Sequence, residues 1–145
     1  MIFFGSDHRG YKLKELLKPF LKEQNQEFED LGTNSEEPAD YPIYAKKVAD
    51  KVLKEHGLGI LICGSGAGMT MAANKIKGIY AALVTSPEHA KIIKMHSDIN
   101  VLVFASDFIS GEVAKKALQT FLQTKFDQLD GHQRRIEQIK ALEQA

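Results

Sequence analysis

The stretch "LGILICGSGAGMTMAANK", residues 58–75, holds the residue types of this chain that are best suited to chemistry. An apolar run ends at Cys63, the only cysteine, and glycines follow at positions 64, 66 and 68. Such glycines allow a tight turn and leave amide N–H groups unshielded, so the loop and the next helix could hold an anionic oxygen. The spacing is neither the dinucleotide fingerprint nor a nucleoside triphosphate loop. Tight helix–strand packing is the alternative explanation, and the sequence leaves both open.

Cys63 also has two interpretations. A free cysteine is a common buried residue, and packing alone would explain one on an apolar strand. The last residue of a strand, just before a helix N-terminus, is however a place where a thiolate is favoured. A thiolate there could take a proton from carbon while neighbouring amides stabilise the charge that appears on oxygen.

Short apolar runs alternate with longer amphipathic stretches, which is typical of βα units around a parallel sheet. We predict a single α/β domain over residues 1–145, doubly wound in the Rossmann or flavodoxin manner, with a five-stranded parallel sheet and a C-terminal helix. The predicted strands are 2–4, 27–30, 59–63, 79–84 and 100–105, and the predicted helices are 11–24, 44–56, 69–75, 87–96, 111–122 and 132–144. Ser86 is expected to cap the fourth helix, with Pro87 at its first position.

Ligands of such sheets bind outside the carboxyl ends of the strands, so reactive residues are expected there. The polar residues that follow predicted strands are Ser6, Asp7, His8, Arg9, Cys63, Gly64, Ser65, Gly66, Gly68, Thr85, Ser86, Ser106 and Asp107. His8 follows the first strand and His96 ends the fourth helix, and we expect both to reach this crevice unless they are ordinary loop residues. Histidine and cysteine do not recur at metal-ligand spacing, so no metal is expected.

Composition argues against several functional classes. Nineteen basic and nineteen acidic residues give a formal net charge of +0, so no global field attracts nucleic acid or an anionic membrane. The single cysteine allows no internal disulfide, and neither a signal peptide nor an apolar run of about 20 residues is present. We therefore expect a cytoplasmic protein without nucleic-acid or membrane partners.

Arg134 and Arg135 near the start of the last helix oppose its dipole, so they are either solvated or directed at an anion such as phosphate.

The motifs "GSDHRG", "DYPIYA", "ICGSGAGMTMAANK", "HSDINVLVF" and "GHQRRIEQI" occur in this order. With them the chain closely resembles, over nearly its whole length, the ribose-5-phosphate isomerase B family, which includes galactose-6-phosphate isomerases. The resemblance implies aldose–ketose isomerisation of a sugar phosphate without a metal or other cofactor. It also implies a homodimer, with a tetramer as the alternative, whose active sites lie at the subunit interface.

The resemblance assigns roles residue by residue. Cys63 matches the base that moves a proton between C1 and C2 through an enediolate, Ser65 matches a residue that assists at the substrate oxygens, and His96 matches the acid/base that opens the cyclic sugar. The amides from Gly64 to Gly68 match the anion hole, and Arg135 matches a phosphate contact from the partner subunit. The full set of expected substrate-binding residues is Asp7, His8, Tyr41, Gly64, Gly66, Ala67, Gly68, Asn74, Asn100, Arg134 and Arg135.

Three positions depart from the family pattern. Asp107 and Gly131 stand where arginines are usual, and Ser97 replaces an asparagine. Losing two phosphate arginines should weaken phosphate binding unless Arg9 or Arg134 compensates. Ribose 5-phosphate is therefore the leading substrate, and a hexose phosphate, an unphosphorylated sugar or a sugar derivative is the alternative. A non-catalytic sugar-phosphate or nucleotide sensor and a Cys–His hydrolase are the competing interpretations.

Overall fold

The computed structural model describes residues 1–144, which form one α/β domain with a five-stranded sheet. The strands are β1 (Ile2–Ser6), β2 (Phe28–Asp30), β3 (Leu58–Cys63), β4 (Ala81–Leu83) and β5 (Val101–Ala105). The helices are α1 (Tyr11–Glu23), α2 (Tyr41–Glu55), α3 (Ala67–Asn74), α4 (Pro87–Ser97), α5 (Gly111–Gln123) and α6 (Asp130–Leu142). Within this part of the chain, no helix combines the length and apolar character needed to cross a bilayer.

The sheet has the order β2-β1-β3-β5-β4, and all four pairings are parallel. The strand order reverses between β1 and β3. The helices that follow these two strands lie on opposite faces, since α1 joins one apolar cluster and α3 joins the other. Such a switch point opens a crevice at the carboxyl ends of the strands, where α/β sheets bind ligands. The loops after β1 and β3 therefore flank the expected site.

Side-chain alternation along β3 separates the two layers of the core. Ile60 and Ile62 belong to the cluster under α1, α4 and α5, whereas Leu61 and Cys63 belong to the cluster under α2 and α3. All four residues are buried, as expected for a central strand covered on both faces. Cys63 thus lies on the same side of the sheet as the helix that begins four residues after it.

The predicted order and type of the elements are confirmed, and the boundaries differ. The second helix begins at Tyr41 rather than at residue 44, because Pro42 fits the first turn, where its missing N–H costs nothing. The fourth strand is shorter than predicted, the third helix begins at Ala67 and the last helix begins at Asp130. The predicted cap is present, since Ser86 Oγ accepts a hydrogen bond from the His89 N–H at 3.0 Å.

A buried lysine fixes α1 on the edge of the sheet. Lys14 is fully buried, and its Nζ lies 2.6 Å from Asp30 Oδ2 at the end of β2. Lys18 Nζ lies 2.8 Å from the same oxygen, and the Gly32 N–H donates to Asp30 Oδ1. Burial raises the pKa of Asp30, but the hydrogen bonds from both lysines and Gly32 outweigh it and hold that pKa below its usual value. Because α1 begins at the loop after β1, this cluster also helps to place the crevice.

We expect Asp30→Asn to lower the free energy of unfolding by about 3 kcal/mol, because it removes the closer and more buried of the two carboxylates that pair with the buried Lys14 ammonium. The pKa of Asp30 is lower in the folded state, so its contribution is present above the unfolded-state pKa and disappears as the pH falls through the folded-state value. Guanidinium unfolding between pH 3 and 7 measures both effects. Asp50→Asn, which breaks the exposed pair with Lys46, is the control and should cost less than about 1 kcal/mol. Equal losses for the two variants would contradict the interpretation.

Candidate active site

Cys63 is the last residue of β3 and is only 4% exposed. Its backbone is fixed by β5, because the Ser106 N–H donates to the Cys63 carbonyl oxygen at 2.9 Å and Ser106 Oγ lies 3.3 Å from the same oxygen. The residue packs in the apolar cluster under α2 and α3, and the partly buried Tyr41 packs against that cluster. The thiol therefore lies at the strand end, shielded from bulk water.

The loop after Cys63 forms the N-terminus of α3. Gly66 is its N-cap residue and has φ of +79°, a left-handed conformation that favours glycine. A Cβ at Gly68 would lie 2.5 Å from the Tyr41 ring, so glycine lets that ring lie against the first turn. The Ala67 N–H donates to Ser65 Oγ at 3.3 Å. The first N–H groups of a helix have no partners within it, so this turn is suited to an anionic oxygen.

The loop after β1 supplies a carboxylate and an imidazole on the other side of the crevice. Asp7 is buried, and its Oδ1 accepts hydrogen bonds from the Arg9 and Gly10 N–H groups, both at 3.0 Å. His8 Nδ1 accepts a hydrogen bond from the Ala39 N–H at 3.1 Å. In a neutral imidazole the proton then resides on Nε2, which is left as a donor. A cavity of about 600 Å³ opens beside these groups, lined by Asp7, His8, Ala39, Asp40, Tyr41, Pro42 and Ile43.

Arg9 and Asp107 form an ion pair at this same edge, between the ends of β1 and β5. The guanidinium also lies against Gly64, where a Cβ would come within 2.6 Å of it. Ser106 Oγ donates to the Arg9 carbonyl oxygen, and the Asp107 N–H donates to the Gly64 carbonyl oxygen. Asp107, which stands where the family usually has an arginine, is therefore paired with Arg9. The pair neutralises part of the positive charge of Arg9.

His96 lies at the opposite edge of the sheet. It lies in the last turn of α4, in the segment of chain that leads into β5, and residues that precede a strand lie at its amino end. The expectation that His96 reaches the same crevice as Cys63 is therefore wrong for a single chain. His96 stacks instead on His132 in the first turn of α6, with ring centroids 4.1 Å apart. His132 Nδ1 lies 2.8 Å from Asp127 Oδ2.

Asp127 carries the charge of this second cluster. Desolvation raises the pKa of Asp127, but two other effects outweigh it and hold this pKa below its usual value. They are the hydrogen bonds that Asp127 accepts from His132 and the Leu129 N–H, and the charges of His132 and His96. The ligand atoms of the two histidines and Asp127 lie within 4.8 Å of one another, close enough for a metal ion. The cluster is partly buried at the junction of α4 and α6.

The two predicted asparagines also lie at the amino edge and bond to backbone groups. Asn74 Nδ2 donates to the Ala81 carbonyl oxygen, and its Oδ1 accepts from the Ala81 N–H. Asn100 Oδ1 accepts from the Tyr80 N–H, while its Nδ2 donates to the Gly78 carbonyl oxygen. In one chain these side chains hold the start of β4.

The predicted phosphate arginines are exposed on α6. Arg134 and Arg135 lie on the helix that begins beside His96, and a Cβ at Gly131, the position of a family arginine, would lie 3.6 Å from Arg135 Nη1, an ordinary contact. Helix α6 contains no fully buried residue, and its Leu142 side chain is 72% exposed. The predicted site residues thus form two groups, one at each edge of the sheet.

Two of the contacts at these edges were not anticipated from the sequence. The Arg9–Asp107 pair joins residues 98 positions apart, and only the neighbouring ends of β1, β3 and β5 indicate it. Asp127 and His132 lie five positions apart around the start of α6, a spacing that gave no recognisable motif.

A parallel α/β sheet with a glycine-bearing loop at its switch point is typical of proteins that bind small ligands at the carboxyl edge of the sheet. Residues 2–139 match the family described as ribose/galactose isomerase. The ribose-5-phosphate isomerase B of Escherichia coli is 42% identical over 144 residues, covering 99% of this chain and 96% of that protein.

Solved structures agree with this match. The Thermotoga maritima ribose 5-phosphate isomerase superimposes with a TM-score of 0.93 at 44% identity, covering 97% of each chain. The Mycoplasma genitalium ribose-5-phosphate isomerase B, solved with bound ribulose 5-phosphate, gives a TM-score of 0.93 at 43% identity, covering 99% of this chain and 95% of that one. The chain belongs to the ribose/galactose isomerase family. It is an enzyme of the aldose–ketose isomerase class.

Proposed function

We propose that the enzyme interconverts ribose 5-phosphate and ribulose 5-phosphate, with Cys63 as the base at carbon. The observation that carries this proposal is the position of Cys63, at the end of β3 and directly before the turn that caps α3. The homologue solved with ribulose 5-phosphate supports the choice of substrate. A pentose phosphate route is the metabolic context that this reaction implies.

The proposed proton transfer uses groups of the carboxyl edge. The Cys63 thiolate removes the C2 proton of the open-chain aldose, and the electron pair moves through C1 onto the carbonyl oxygen. Backbone N–H groups from Gly64 to Gly68 stabilise the resulting enediolate oxygen. Ser65 assists the transfer between the two oxygens, and the thiol then returns a proton to C1. Asp7 and Tyr41 contact the sugar, and His8 Nε2 donates to the phosphate.

The ring-opening group must come from a second copy of the chain. Sugars are mostly closed hemiacetals, so isomerisation requires an acid/base that opens the ring, and His96 is the candidate. In one chain His96 and Cys63 lie at opposite edges of the sheet. We therefore propose a homodimer in which the amino edge of one chain brings His96, Asn100, Arg134 and Arg135 to the carboxyl edge of its partner.

Exposed apolar residues at both edges support such docking. Phe108, beside Asp107 at the carboxyl edge, is 81% exposed. On α6, Ile139 and Leu142 are 49% and 72% exposed. A cavity of about 530 Å³ lies between β4, α4 and α6, and its lining is largely apolar. Ile139 and Leu142 line this cavity, and a contiguous exposed apolar patch of this kind marks a site of association. A tetramer built from such dimers is the alternative assembly.

A substrate panel tests the proposed reaction. Purified protein should convert ribose 5-phosphate to ribulose 5-phosphate with a higher kcat/KM than hexose 6-phosphates or unphosphorylated ribose. Higher kcat/KM with a hexose phosphate would favour the second candidate function, for which Asp107 and Gly131 at arginine positions are the supporting observation. Failure to form a ketose from any aldose phosphate would contradict both.

The Arg9–Asp107 pair gives a prediction about phosphate affinity. Arg9→Ala should raise the KM for ribose 5-phosphate about fivefold to tenfold, because the unpaired Asp107 carboxylate then repels the anionic substrate. The double variant with Asp107→Ala should recover most of this loss. Lys46→Ala, which breaks the exposed pair with Asp50 on α2, is the control and should not change KM. Equal KM values for Arg9→Ala and the wild type would show that the pair does not act on the substrate.

A further inference from the structure

Asp127 and His132 have no part in the proton transfers described so far, yet both side chains lie close to His96. His132 Nδ1 lies 2.9 and 2.8 Å from the two carboxylate oxygens of Asp127. The rings of His132 and His96 stack at 4.1 Å with an interplanar angle of 27°. The three side chains form a continuous row from the linker before α6 to the last turn of α4.

The carboxylate at the start of this row is itself held in place. The Asp127 N–H donates to the Met95 carbonyl oxygen at 3.0 Å, and Asp127 Oδ1 accepts from the Leu129 N–H at 3.0 Å. An ionised carboxylate only accepts hydrogen bonds, so the Nδ1 of His132 carries the proton between them. Rotation of the His132 ring would break this bond, and the ring plane is therefore fixed.

A divalent cation is a poorer explanation of the same cluster. Imidazole binds a metal through a lone pair in the plane of its ring, and two nearly parallel stacked rings direct their lone pairs along separate planes. The Nδ1 of His132 is also already occupied by Asp127. Geometry of this kind resembles the Asp–His pair of a catalytic triad, in which the carboxylate holds the imidazole in one tautomer and orientation.

Building on the proposed function, we propose that Asp127 and His132 are positioning residues for His96. The carboxylate fixes the His132 ring, and the stacked His132 ring fixes the plane of His96 at the surface offered to the partner subunit. A free nitrogen of His96 then takes the proton of the anomeric hydroxyl group of the closed sugar. The bond between C1 and the ring oxygen breaks, its electron pair stays on that oxygen, and the oxygen receives the proton back from the imidazolium. The products are the C1 aldehyde and a free hydroxyl group.

A comparison of ribose 5-phosphate with ribulose 5-phosphate separates ring opening from the proton transfer at carbon. Ribose 5-phosphate is a closed furanose and must be opened. Ribulose 5-phosphate has its C5 oxygen esterified, so it has no hydroxyl group that can close a five- or six-membered ring on its C2 carbonyl. Exchange of its C1 proton with solvent deuterium therefore needs Cys63 and the anion loop but not ring opening.

The test compares Asp127→Asn and His132→Phe with the wild-type enzyme in both reactions. His132→Phe retains a stacking ring and removes the hydrogen bond to Asp127. Each variant should lower kcat for ribose 5-phosphate about 10-fold to 100-fold, because misplaced acid/base groups lose rate steeply. KM and the rate of deuterium exchange into ribulose 5-phosphate should stay within about twofold of wild type. Asp130→Asn, the same substitution at an exposed position three residues away, is the matched control and should change neither rate.

Three results would overturn the proposal. Parallel loss of isomerisation and exchange would show that the residues only maintain the structure, and unchanged isomerisation would show that His96 needs no support. Loss of activity on dialysis against a chelator, with recovery on adding Zn²⁺, would establish a metal site instead. A wild-type enzyme inactive in both reactions would contradict the proposed function itself, an outcome that is distinguishable from these three.

Discussion

Replacing Cys63 by alanine should lower kcat for ribose 5-phosphate at least about 1000-fold, because general bases at carbon contribute up to about four orders of magnitude. Deuterium exchange into ribulose 5-phosphate should fall by the same factor, since both reactions require removal of a proton from carbon. Binding of ribulose 5-phosphate, measured by calorimetry, should remain within about tenfold of wild type. This combination assigns the loss to chemistry rather than to recognition.

The effect of Cys63→Ala on packing must be separated from its effect on proton transfer, because Cys63 is 4% exposed and lies in an apolar cluster. Leu61→Val is a suitable control. Leu61 faces the same cluster two residues earlier on β3, and the substitution should destabilise the fold by about 1 kcal/mol without changing kcat. Retention of isomerase activity by a Cys63→Ala protein of confirmed sequence would place the base elsewhere.

Replacing His96 by asparagine should have the second largest effect, a loss of about 100-fold or more in kcat for ribose 5-phosphate. Exchange of the C1 proton of ribulose 5-phosphate should persist, because that substrate needs no ring opening. Activity assays and NMR of the same samples measure the two rates together. The difference between them is the signature of a ring-opening acid/base.

His89→Asn is the matched control for this variant, since His89 lies on the same helix and its side chain accepts a hydrogen bond from the Thr85 N–H. It should leave both rates near those of wild type. If His96→Asn instead reduced exchange and isomerisation equally, His96 would contribute to the proton transfer at carbon or to folding, and the assigned role would be incorrect.

The order of elements was predictable because each βα unit carries its own local pattern. Cys63 could be placed at a strand end from the apolar run before it and the glycines after it. Ser86 could be identified as a cap because serine, proline and glutamate occur together there. These signals lie within a few neighbouring residues.

The structure differs from the sequence-based predictions where tertiary contacts, rather than local sequence patterns, determine the position of a residue. Residues 79–84 form an apolar run, but only Ala81–Leu83 pair as β4, because the edge strand has a single neighbour and Asn100 bonds to the backbone before it. Its closeness in sequence to β5 predicts that His96 reaches the carboxyl edge of its own chain, whereas it precedes β5 and so lies at the amino end of that strand. The amino end of a strand lies at the other edge of the sheet. The linker that brings Asp127 to His132 has no periodic pattern from which its path could be inferred.

Subunit complementation measures whether one active site combines Cys63 of one chain with His96 of another. Cys63→Ala and His96→Asn chains would be co-expressed with different affinity tags, and the hybrid dimer would be isolated through both tags. Each parent should have at most about 1% of the wild-type activity with ribose 5-phosphate. The hybrid should regain about half of the wild-type activity, because one of its two symmetric sites receives both intact residues. A hybrid as inactive as its parents would contradict the shared site.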